Sequence, residues 1–285
     1  MYSIAILTFV LSLVGQAQDP GKTDPRENAG WLEFFTGTAK EYEIRRVDSE
    51  KHKLEFQPKS ILRWTNPVRG PVVDAALFVW LYEGRPSAIG NIFAVPAGDG
   101  WSIWHEFHSL DLVPLNASWR DRSVWTPGKA AIELKPVPDA PAPAESLEER
   151  TRQMRSIVRD FTANSIDDKD GPWELRLLSQ PLYRYGNADS EVLDGTLFVF
   201  VQATDPELIL LIEARRKDVG YEWQFACARF TDFRIQLRYK GQEIWSVAPG
   251  KYKDVTAPHF HFSGEQRESK PRAVDKEPEP KDSEK

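Results

Sequence analysis

The chain is nearly without cysteine, with one residue in 285. Cys227 has no second thiol to pair with inside the chain, so the fold must hold by packing and hydrogen bonding alone. It lies in the strand-like stretch Gln224-Phe225-Ala226-Cys227-Ala228 with no basic neighbour, which points to a buried inert thiol rather than a nucleophile. A basic stripe is also missing. Lys and Arg number 37 against 43 Asp and Glu, a net charge of −6 with both signs interspersed, which argues against nucleic acid as a partner. There is no Gly-x-Ser-x-Gly elbow, no glycine-rich phosphate loop and no paired-cysteine metal site, so no cofactor is expected.

Long hydrophobic runs are scarce too. Ile4 to Val14 is apolar, but it is roughly a third short of a membrane-spanning helix. Followed by Gly15-Gln16-Ala17, it reads as a cleavable signal peptide over residues 1–17, although no Lys or Arg precedes it. No Cys follows the run to carry a lipid. The expectation is a secreted or periplasmic protein with no transmembrane anchor after cleavage.

What the chain does have is aromatic side chains: 10 Trp, 15 Phe and 8 Tyr are ample material for a core. Residues 18–38 read as a polar N-terminal segment, and residues 263–285, rich in Lys, Glu and Pro, as a solvated tail. Residues 135–145 form a Pro-rich connector, too stiff for a helix or a central strand. A helix over 146–164 follows. Ser146 and Glu149 make a capping box, and Leu147, Met154, Val158 and Phe161 fall on one face. The acidic turn Asp167 to Gly171 does not fit a calcium loop, because Leu177 stands where the closing Glu is required.

Nearly everything else reads as strand. The runs 197–201 and 208–212 are apolar at every position and should be covered on both faces, whereas 233–239 alternates and should have one wet face. Residues 74–125 can be laid over 194–245 at a constant shift of 120. Asp74, Leu77, Phe78 and Val79 then meet Asp194, Leu197, Phe198 and Val199, and Gly100 and Trp125 meet Gly220 and Trp245. The expected fold is therefore α+β and mostly antiparallel β, with two tandem related β-meander units at 39–134 and 165–258 and a connecting helix. The shared positions are mostly apolar, Gly or Pro. Asp74 and Asp194, just before a strand, are expected to cap turns.

Chemistry should lie where the two units differ. Unit one carries Trp104-His105-Glu106-Phe107-His108 where unit two has Gln224 to Ala228, and unit two carries Glu213, Arg215 and Arg216 where unit one has Phe93, Val95 and Pro96. The two His of His105-Glu106-Phe107-His108 are three apart in a strand, not four apart on a helix, so this is not the zinc-protease motif. Glu106 and His108 share a face and are the candidate acid–base pair. His259 and His261 also share a face if extended, and are the candidate metal ligands, although no metal is expected. Trp104, Glu213 and Arg215 are the candidate ligand contacts.

Over Leu62–Pro67, Asp74–Trp80, Trp104–His108, Gln180–Tyr185 and Ile244–Val247 the chain resembles a set of exported proteins from planctomycete bacteria. The resemblance covers most of residues 40–250. It implies a source and a compartment, but no activity and no catalytic residue. Three functions are consistent with these residues: a non-enzymatic ligand-binding or envelope-associated protein, a periplasmic hydrolase or metal-dependent enzyme using Glu106 and His108, and a structural adaptor.

Overall fold

A computed structural model describes residues 25–271 apart from 49–51, 67–71, 129–130, 168, 170, 188–189 and 251–253. The expected signal peptide and most of the charged tail lie outside the described residues. The architecture is mainly antiparallel β with two helices among the described residues, neither long and apolar enough to cross a membrane.

The first half runs α1 (Pro25–Lys40), β1 (Tyr42–Arg46), β2 (Glu55–Phe56), β3 (Leu62–Asn66), β4 (Val72–Tyr82), β5 (Arg85–Ala97), β6 (Gly100–Ser109), β7 (Leu115–Trp119), β8 (Arg122–Trp125) and β9 (Lys135–Pro136). The second half repeats that order. It runs α2 (Leu147–Arg159), β10 (Phe161–Asp167), β11 (Gly171–Leu177), β12 (Tyr183–Tyr185), β13 (Val192–Gln202), β14 (Asp205–Arg216), β15 (Tyr221–Arg229), β16 (Arg234–Tyr239), β17 (Gln242–Val247) and β18 (His259–Arg267).

Registers repeat as well as elements. Asp74 pairs with Ala94 as Asp194 pairs with Ala214, and the ladder irregularity at Trp80/Leu81 recurs at Phe200/Val201. The hairpin residues Arg120 and Asp121 have φ of 51° and 61°; Lys240 and Gly241, at the same shift of 120, have 48° and 80°. The shared acids do not cap turns before a strand as expected; both lie inside strands, β4 and β13, where they face arginines. Asp74 accepts from the Ala75 N–H at 2.9 Å and pairs with Arg63, and Asp194 receives Arg184 and the buried Arg150 at 2.6 and 2.9 Å.

Three boundaries differ from the sequence expectation. Residues 18–38 are not simply a polar lead-in, because α1 begins at Pro25 and buries Trp31, Phe35 and Ala39 along one face. Gly30, Gly37 and two threonines lower its helix propensity, and it is held by packing. The helix expected over 146–164 stops at Arg159. Phe161 fits a 3.6-residue period, but Phe161, Ala163 and Ser165 are buried at a period of two and pair with Tyr239, Leu237 and Ile235. The tail expected from Ser263 is strand as far as Arg267, where it is tied to β6. At the α2 start, Ser146 Oγ accepts the Glu149 N–H at 3.2 Å and donates to the Glu149 carboxylate at 2.9 Å.

In one half, β2, β4, β5, β6 and β18 form a sheet in that reverse or forward order, with β3 also on β4, and β1, β7 and β8 form a smaller one. In the other, a continuous sheet runs β17-β16-β10-β11-β13-β14-β15-β9. The edge strands are exchanged. β9 follows the first half but completes the second by pairing with β15, while β18 follows the second half and completes the first by pairing with β6. The exchange is in equivalent register: Lys135 faces Phe225, and Phe262 faces His105.

The layers are helix, sheet, sheet, helix. Phe78 and Trp80 of β4 point toward α1, and Phe198 and Phe200 of β13 toward α2. Leu77 and Val79 meet Leu197, Val199, Ile209 and Leu211 in a shared core between the sheets. This double burial explains the uninterrupted apolar runs. Gly90 is required by the packing, since a Cβ there would sit 2.6 Å from the Phe107 ring and 2.8 Å from Trp80.

Candidate functional site

The register of β18 on β6 places His259 opposite His108 and His261 opposite Glu106. Four candidates from two distant segments therefore share one face of one sheet. The loop after β15 adds Asp232 from the other half. His261 Nε2 donates to Asp232 Oδ2 at 2.8 Å, His259 Nδ1 lies 3.8 Å from Asp232 Oδ1, and His259 Nε2 is 2.8 Å from Glu106 Oε1. Asn91 closes the chain, donating to Glu106 Oε2 at 3.4 Å and accepting from the Trp64 indole at 3.2 Å.

Burial decides the charge states. Removal from water pushes the Glu106 carboxyl up to about 8 and holds His259 and His108 down near 3. At neutral pH Glu106 keeps its proton and donates it to His259 Nε2, which leaves the His259 Nδ1–H facing Asp232. Burial also acts against the charges of Asp232 and His261. Their mutual hydrogen bond and the surrounding charges together outweigh it, lowering the Asp232 carboxyl and raising the His261 imidazole. His108 does not touch Glu106. Its Nδ1–H donates to the Ser109 carbonyl at 2.7 Å, so its lone pair is on Nε2, and its ring lies 6.2 Å from that of His259. Glu106 and His108 were expected to work as a pair; the partner of Glu106 is His259 instead.

Beside this network lies a cavity of about 340 Å³ at the seam between the halves. Its polar side chains are His108, His259, Arg229, Ser246 and Glu133, the last mostly exposed and paired with Lys135 at 3.0 Å, and its apolar wall includes Ile132, Cys227, Trp245 and Val247. Burial raises the Cys227 thiol far above its usual range, so it serves here as wall. Among the described residues no three His, Cys, Asp or Glu side chains are arranged to hold a metal ion. His259 and His261 are engaged with Glu106 and Asp232, which are far away in sequence.

Of the remaining candidates, Trp104 borders this network and Glu213 and Arg215 lie elsewhere. Trp104 is half-buried, near-parallel to Phe93 at 6.4 Å and 5.9 Å from the His261 ring. Glu213 is fully buried and accepts from Tyr185 Oη at 2.6 Å, Arg85 Nε at 2.9 Å and Arg215 Nη1 at 3.0 Å. Burial disfavours its charge, but Arg85, the Tyr185 hydroxyl and Arg215 more than offset this and hold its carboxyl below the usual range. Arg85 comes from the first half, so Glu213 and Arg215 form a tie across the seam, with Arg215 on the rim of a wider cleft of about 770 Å³. Sequence reasoning missed Arg229 and Asp232. Neither belongs to a motif, and only the packing of the two halves brings them to β18.

No protein-family model, curated protein or solved structure matches this chain.

Proposed function

We propose that the protein is an exported ligand-binding protein whose site is the seam cavity. One observation carries the reading: both halves and the exchanged strand β18 converge on a hollow with an apolar wall and a polar side that includes His108, His259 and Arg229. Its volume is at the small end of the range for small-molecule sites. The signal-like N-terminus and the resemblance to exported planctomycete proteins support a secreted or periplasmic setting. An apolar-bodied molecule suits the wall, and His108 Nε2 offers it one hydrogen-bond acceptor.

An acid–base enzyme is the second reading, favoured by the Glu106–His259–Asp232 chain. Glu106 does not line the cavity and reaches a ligand only through His259, whose two ring nitrogens face Glu106 and Asp232. The geometry therefore favours binding over turnover.

The neutral dye N-phenyl-1-naphthylamine tests the binding reading. Saturable binding is expected, weakened at least about tenfold in Val247→Trp, which fills the hollow. Non-saturable binding, or equal affinity in a folded Val247→Trp protein, counts against the cavity as the site.

A further inference from the structure

Of the two arginines less than a tenth exposed among the described residues, Arg150 meets the Asp194 carboxylate at 2.9 Å. Arg229 meets none. Its Nε donates to the Thr231 carbonyl at 2.7 Å, Nη1 to Ala248 at 2.7 Å and Nη2 to Phe233 at 2.6 Å. Three neutral acceptors fix the plane of the guanidinium without neutralising it. A guanidinium has five N–H groups, so one on each Nη is left over. Arg85 and Arg215, also largely buried, both reach Glu213 within 3.0 Å. Arg229 is thus the exception, and it is the one that lines the seam cavity.

The acids around it do not fill the gap. Asp232 gives its Oδ2 to His261, Glu106 is protonated against His259, and Asp232 and the buried Glu207 act on Arg229 through space without pairing with it. The loop over the guanidinium is shaped to fit it. Gly250 donates its N–H to the Asp232 carbonyl at 2.7 Å, and a Cβ on Gly250 would stand 3.2 Å from Arg229 Cζ and 2.8 Å from Asp232 Oδ1. A fixed, desolvated guanidinium with spare donors is the arrangement that recognises a planar anion, through two parallel charge-assisted hydrogen bonds.

We infer that the ligand of the seam cavity is an organic anion of the carboxylate class, with its carboxylate on Arg229 and its apolar body against Ile132, Trp245 and Val247. The inference rests on the binding reading of the cavity. A carboxylate supplies the hydrogen-bonded counterion that Arg229 lacks, and the burial of Arg229 strengthens such a pair.

A matched pair of probes tests it on the whole protein, octanoate against octan-1-ol, each competing with N-phenyl-1-naphthylamine. Octanoate is expected to displace the dye at a concentration at least about tenfold lower than the alcohol. In Arg229→Gln, titrated calorimetrically with each probe directly, the preference for octanoate is expected to vanish. If Arg229→Gln does not fold because the three carbonyls lose their donor, the wild-type comparison decides alone. Equal displacement by both probes, or a preference for the alcohol, overturns the anion and leaves the cavity standing. Failure of the dye itself to bind overturns the cavity reading and this inference with it.

Discussion

At neutral pH the Glu106 carboxyl keeps its proton in the folded protein, while an unfolded chain releases it near 4.5. The folded state therefore holds one more proton than the unfolded state between about 4.5 and 8, and stability falls as pH rises through that window. His105, His108 and His259 act in the opposite sense. Folded, they titrate near 3; unfolded, near 6.5, so their contribution grows as pH rises between those values. Gln has the shape of a protonated Glu and can donate to His259. Glu106→Gln is expected to match the wild type near pH 5 and to gain on it by about 1 kcal/mol per pH unit toward pH 8 in urea unfolding. A difference that stays flat with pH counts against a protonated Glu106. Asp194 makes a second case. Its removal in Asp194→Ala leaves Arg150 and Arg184 without a carboxylate, one of them buried, at an expected cost of about 3–5 kcal/mol. Asp74→Ala strands only Arg63, whose side chain is 31% exposed, and is expected to cost less in the same measurement.

The exchanged strand β18 contributes His259 and His261 to the site and covers the backbone edge of β6. Ending the chain after Pro258 uncovers that edge, and the truncated protein is expected to bind no dye and to aggregate, as read by light scattering. A monodisperse truncated protein with normal dye binding contradicts this assignment of β18. The element shows why sequence reading reached some of the fold and not the rest. The central strands announced themselves through runs such as Leu197–Val201, since burial on two faces removes every polar position. The shift of 120 was equally plain, because matched turns and strands need matched glycines and apolar residues. Helix α1 was hidden by its glycines and threonines. Strand β18 was hidden because its second half, Ser263 to Arg267, is as polar as the tail beyond it, and an edge strand on a wet face keeps polar residues. In the candidate site, pairs at i and i+2 were legible as sharing a face. That Glu106 would meet His259 depended on a strand pairing across some 150 residues, which no local pattern records.

The two halves share a core, trade edge strands and are tied by Arg85 to Glu213, so neither contains all of its own stabilising contacts. Thermal unfolding is expected to be one cooperative transition, with calorimetric and van't Hoff enthalpies equal, despite the repeated architecture. Two resolved transitions count against coupled halves. The exchange also sets an order of events in time. Strand β6 ends at Ser109, and the strand that completes its sheet begins only at His259, so a growing chain cannot finish its first half until nearly all of the second has been made. Loop closure over that distance must come before the contacts that reward it, which slows folding. Until then the newly made chain stays incompletely folded, with the free edge of β6 open to any other strand that reaches it.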